Sequence, residues 1–281
     1  MRSAALLAAA LSAGISSSQA GAQDFVWSLG SNGDWTNPAN WLPNGDPNSL
    51  SDNVIIDPVT GVIVSLGPNI TRNVNNLTIG AGNELQVLNN TFLDIGGDVF
   101  NDGIISLNST GNGTRLRLDG DNVTLNGTGV LMLGTNIQNI VDDTSGTRLL
   151  TNTATHTIQG GGQLGVNTIN LNNAGLIDAN LLGVTLTVDP AAGGMVNTGT
   201  MRASNGGILV LAGGTYTNTG GVIRAAGNAS TVTLASGTTI AGGTLEAVNG
   251  GLIQTAQSAT INLDGVTLNG GITIANNADL R

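Results

Sequence analysis

The chain of 281 residues contains no cysteine, no lysine and a single histidine. Without cysteine there are no disulfides, so its core and its backbone hydrogen bonds must hold it together. A lone histidine without cysteine supplies no ligand set for a transition metal. Aromatic residues make up 2% and charged residues 9%, so aliphatic layers must form the core and neutral polar groups most of the surface. The formal net charge is −10, and the eight positive residues are all arginines. With neither a basic patch nor a series of base-stacking aromatics, nucleic acid is excluded as a partner, and anionic lipid headgroups are repelled. No apolar run reaches the roughly 20 residues of a bilayer crossing, so no direct membrane insertion is expected of this segment. Neither a phosphate-cradling G-x-x-x-x-G-K run nor a serine nucleophile elbow occurs, and no cofactor is expected.

What is present begins with an export signal. Arg2 precedes an Ala/Leu-rich run from Ala4 to Leu11, followed by small and polar residues to Ala20-Gly21-Ala22. This reads as a secretory signal peptide over residues 1–22, cut before Gln23. The apolar stretch is too short for a membrane helix. Extracellular or outer-surface localisation follows from this reading.

The body of the chain is a repeat. Asn173-Ala-Gly-Leu-Ile-Asp-Ala179, Asn197-Thr-Gly-Thr-Met-Arg-Ala203, Asn218-Thr-Gly-Gly-Val-Ile-Arg-Ala225 and Ala241-Gly-Gly-Thr-Leu-Glu-Ala247 share one pattern. Each is a glycine turn, an apolar residue, a charged residue and an alanine. The charged positions 178, 202, 224 and 246 are 24, 22 and 22 residues apart, a period that marks one structural unit stacked on itself. Helical periodicity is missing, and short alternating pieces such as Leu77-Thr-Ile79, Leu116-Arg-Leu118 and Val232-Thr-Leu234 recur between Gly, Asn and Asp. The pattern predicts an all-β fold, a parallel β-helix (β-solenoid) with coils of about 20–25 residues. Isoleucine, valine and leucine point inward, Ile177 among them, and asparagines at the corners can hydrogen-bond along the axis. Nine or ten coils between residues 70 and 281 would give a rod on the order of 45 Å long. Asp178, Arg202, Arg224 and Glu246 should form an outer ladder, either a recognition stripe or, as weak surface pair energies favour, a solvated edge. Residues 134 to 155 are less regular and predict an irregular coil or a longer loop.

Three parts follow: the signal peptide 1–22, an N-terminal module 23–68 and solenoid repeats 69–281. The module holds all three tryptophans, Trp27, Trp35 and Trp41. The first coil of a solenoid exposes its core and an open strand edge, so a bulky cap is required there. The alternative is a sugar-stacking platform with Trp27, Trp35 and Trp41 as binding residues; the capping requirement favours the cap.

The spacing W-x(7)-W-x(5)-W, followed by Asp52-Asn-Val-Ile-Ile56, resembles the opening module of large bacterial secreted β-solenoid proteins, including autotransporter-passenger and adhesin-like proteins. His156-Thr-Ile-Gln-Gly-Gly-Gly-Gln-Leu164, the Asn-x-Gly-x-Ile-x-Ala phrase and Ile240-Ala-Gly-Gly-Thr-Leu245 are similar to recurrent phrases of the same proteins. The resemblance covers nearly all of the chain after the signal. It implies a right-handed parallel β-helix, extracellular display and, in some members, adhesion to glycans or to host or matrix surfaces. It implies no catalytic residue. Such proteins end in an anchor or barrel, whereas this chain stops at Asn276-Asn-Ala-Asp-Leu-Arg281, which predicts that the natural protein is longer. An uncapped end also invites end-to-end self-association.

The expected function is therefore a non-enzymatic exported rod, structural or adhesin-like, at a bacterial cell surface. The rival is a carbohydrate-binding or polysaccharide-degrading β-helix. Such an enzyme needs paired carboxylates, and the candidates are Asp142 with Asp143 and Asp119 with Asp121. Both pairs read as turn formers, and His156, set among threonines, reads as a solvated strand residue. The metal ligands are unknown; Asp34, Asp46 and Asp52 offer oxygen donors suited to calcium in a loop-rich segment.

Overall fold

A computed structural model describes residues 22–59, 61–143 and 148–281. The expected signal peptide, residues 1–22, lies outside the described residues except for Ala22. Among the described residues no helix is long and apolar enough to cross a membrane.

The repeat folds as its periodicity requires. Each coil contributes one short strand to each of three sheets, which hold 13, 11 and 10 strands. Neighbouring strands in a sheet come from successive coils and run parallel, as at Ile104–Asn108 between Glu84–Leu88 and Val130–Leu133. The one antiparallel pair among the named strands of the described residues joins Gln23–Trp27 to Trp41–Leu42 at the N-terminal end. The protein is an all-β parallel β-solenoid.

Period-two alternation decides which side chains enter the core. In the second sheet, Leu85, Ile105, Leu131, Ile158, Ile177, Met201, Ile223 and Leu245 stand in register over one another. All are at most 1% exposed, so Ile177 is inward as expected. The alanines of the repeat are stacked in the same way, Ala179 under Ala203 under Ala225 under Ala247. Eleven strands at the spacing of paired strands give a rod of about 48 Å.

The coil length varies. Ile158 lies under Ile177, 19 residues later, whereas Leu131 lies under Ile158, 27 residues later. The coil from Leu131 to Ile158 contains the irregular stretch 134–155, which nevertheless supplies the strands Asn139–Asp143 and Leu149–Asn152.

The N-terminal end is closed by the tryptophans. Trp27, Trp35 and Trp41 are 3%, 0% and 2% exposed. Trp41 packs edge-on against both others, with ring centroids 4.9 Å from Trp27 and 5.1 Å from Trp35, the geometry that aromatic quadrupoles favour. The indole N–H of Trp41 donates to Trp35 O at 2.7 Å and that of Trp35 to Pro47 O at 3.1 Å. A short 3-10 turn, Pro38–Asn40, capped by the Asn37 side chain, brings Trp41 back over Trp27. The strand Asp52–Ile56 pairs with Gln23–Trp27 on one side and Leu77–Ile79 on the other, so the cluster is continuous with the coils above it.

Candidate functional site

The corner between the first and second sheets concentrates the buried polar groups of the rod. The Asn-x-Gly phrase turns the chain there. Asn173 Nδ2 donates to Gly175 O at 3.2 Å within its own turn and to Asn197 Oδ1 of the next coil at 2.7 Å. The same step recurs from Asn152 to Asn173 at 2.8 Å and from Asn197 to Asn218 at 2.7 Å. Glycine follows because a side chain would strike the coil below; a Cβ at Gly175 would collide with the carbonyl oxygens of Thr153 and His156.

His156 extends this ladder. It is 1% exposed, which corrects its reading as a solvated strand residue. Its ring nitrogens meet Asn152 Oδ1 at 2.8 Å and Asn101 Nδ2 at 3.1 Å. The intervening coil passes this corner with Gly127-Thr128-Gly129, and the imidazole reaches past it to a residue 55 positions earlier. Burial lowers the imidazole pKa to about 4, so the ring is neutral at physiological pH. Asn101 was missed by sequence reasoning. The signal was present as Asn101-Asp-Gly-Ile-Ile105, a further copy of the turn phrase in which the charge and the alanine are replaced by Ser106 and Leu107.

Outside this corner run two open depressions. One, of about 550 Å³, spans five coils and is lined by Asn32, Glu84, Asp102 and Thr128 among backbone glycines. The other, of about 370 Å³, continues along later coils past Thr155, Thr157, Arg202 and Arg224. Between them Thr155 Oγ1 donates to Gly127 O at 2.6 Å.

The charged ladder forms in the expected register, Asp178 beside Arg202 beside Arg224 beside Glu246. Its two arginines turn away from each other. Arg202 bonds Asp178 at 2.8 Å, and Arg224 bonds Glu246. Asp178 is 2% exposed and also accepts from Ser204 Oγ at 2.8 Å, so this end of the ladder is buried rather than solvated.

One of the two carboxylate pairs, Asp142 with Asp143, is placed differently from its reading as a turn former. Asp142 and Asp143 end the strand Asn139–Asp143 and are each 3% exposed. They do not converge on one point. Asp142 binds Arg115, and Asp143 lies 3.1 Å from Arg148. Burial pushes the Asp142 carboxyl above its ordinary value, outweighing the attraction of Arg115 and Arg117. Asp119 does sit in a turn, 2.8 Å from Arg148. On the same sheet Arg117 forms a bidentate pair with Asp94, both bonds 2.6 Å, with its guanidinium 4.6 Å from the Phe92 ring centroid.

The calcium candidates are engaged one by one. Asp34 accepts from Thr36, Asp46 from Arg72, and Asp52 from the Asn48 backbone N–H. Among the described residues no three His, Cys, Asp or Glu side chains gather to hold a metal. Trp27, Trp35 and Trp41 come together, but with their faces inside the fold.

Comparison with known proteins finds no family model, no curated protein and no solved structure that matches the chain.

Proposed function

We propose that this chain is an exported, non-enzymatic β-solenoid that serves as a stalk or adhesin-like passenger at a bacterial cell surface. The observation that carries the reading is the internal pairing of charge. Each of the seven arginines among the described residues lies within 4 Å of a carboxylate, and in all but Arg281 the pair joins two coils, so these cations are engaged within the rod rather than held ready for a polyanionic substrate. Export is supported by the sequence of residues 1–22, which reads as a secretory signal.

The test is protease shaving of intact bacteria carrying the full gene, with mass spectrometry of the mature N-terminus. Surface-accessible protein starting at Gln23 is the expected result. Cytoplasmic protein that retains Met1 would sink the reading. Purified protein incubated with neutral and acidic polysaccharides should release no new reducing ends and no unsaturated products; either product would make it an enzyme.

A second reading, carbohydrate binding, is favoured by the five-coil depression at Glu84 and Asp102. Saturable binding on a glycan array, abolished by Asp102→Leu, would establish it.

A further inference from the structure

The corner ladder has a direction. Asn152 Nδ2 donates to Asn173 Oδ1, to His156 O and to Leu176 O, so its Oδ1 is the atom that faces the imidazole, and His156 Nδ1 carries the proton. Asn101 Oδ1 accepts from Gly103 N at 3.1 Å, so its Nδ2 faces His156 Nε2, which must be the bare, accepting nitrogen. From Asn101 through His156, Asn152, Asn173 and Asn197 to Asn218, every donor therefore points the same way along the rod. A second proton on the ring would set two N–H groups against each other at Asn101. Turning the Asn101 amide over would not relieve this, because it would strip Gly103 N–H of its acceptor.

We infer that His156 is an acid-sensitive latch: proton uptake at its Nε2 breaks the bond from Asn101 and loosens the corner that joins the coils of Asn101, Gly127 and Asn152. The latch is local because the coil between carries Gly127-Thr128-Gly129 at this corner.

Other charged groups near the corner are occupied. Asp102 accepts from the Thr128 N–H at 2.8 Å and from the Thr128 hydroxyl at 2.9 Å. Glu84 accepts from Ser106 and Gln86. Arg202 and Arg224, at the rim of the depression outside His156, are held by Asp178 and Glu246. The turns packed on the ring at Asn152–His156 and Asn173–Gly175 contribute no other ionisable side chain.

The direction of the effect follows from linkage. A ring held at about 4 in the fold and at about 6.5 once opened binds fewer protons when closed. The closed corner is fully stable above pH 6.5 and weakens as the pH falls toward 4.

Hydrogen exchange of the full mature protein, read as protection factors at pH 7.5 and pH 5.0, tests this while staying above the isoelectric point of about 4.1. Peptides over 101–105 and 152–158 should lose protection roughly 30-fold, and peptides over 222–248 should not. His156→Gln, which keeps an accepting oxygen but takes no proton, should hold protection at both pH values. Equal loss in His156→Gln, uniform loss along the rod, or no loss would each overturn the latch. Should the variant fold poorly, the single histidine allows a direct check in the native chain by NMR. No imidazole titration above pH 5.5 is expected; a step between pH 6 and 7 in folded protein would overturn the proposal.

Discussion

Asn197 is fully buried between two other asparagines, accepting from Asn173 and donating to Asn218. A buried amide in this position gains little net energy from each bond, but its loss leaves the Asn218 Oδ1 acceptor without its donor in a dry site. Asn197→Ala should therefore cost about 2 kcal/mol, measured as a lower urea midpoint. Its neighbour Val196, 44% exposed, serves as control: Val196→Ala should change stability by less than about 0.5 kcal/mol. At this scale His156 and Asp142 show how environment, not residue type, sets behaviour. Both are buried, and each is shifted toward its neutral form, as desolvation requires.

Strands carry the next level of organisation. Each is only two to five residues long, too short to persist alone, and is held by a copy of itself above and below. Ile177 illustrates the dependence, since it touches both the Ile158 and Met201 layers and is 1% exposed. Ile177→Asp would place an unpaired charge between two aliphatic layers and should cost roughly 3 kcal/mol or more. A thermal melt equal to that of the native protein would contradict the inward register. The outward neighbour Asp178 differs from a free surface acid because Arg202 and Ser204 already satisfy it.

As a whole molecule, a rod of stacked coils is only as secure as its ends, because strands pair only with those of the adjacent coils and contacts that skip a coil, like His156 with Asn101, are the exception. The tryptophan cluster gives the N-terminal end a compact aromatic core that the aliphatic coils lack. Trp35→Ala removes a fully buried indole and should destabilise this end by about 3–5 kcal/mol. Opening should begin there: peptides over 23–56 should lose hydrogen-exchange protection first, while those over 197–248 stay protected. Simultaneous loss everywhere would show a single cooperative block rather than a capped stack.

Architecture was legible in the sequence because it depends on periodic quantities. Alternation of two sets inside and outside, the 22 to 24-residue step sets the register, and Ile177, Ala203 and the ladder from Asp178 to Glu246 fell where the repeat placed them. What the sequence left open lies at the corners, where length is not periodic. The coils on either side of Leu131 are longer than their neighbours, and this offset carries His156 past Gly127 to Asn101. It also sets Asp142 and Asp143 at the end of a buried strand instead of in a turn. Local sequence determines which way a side chain leaves its strand; only the stacking of unequal coils decides what it meets there.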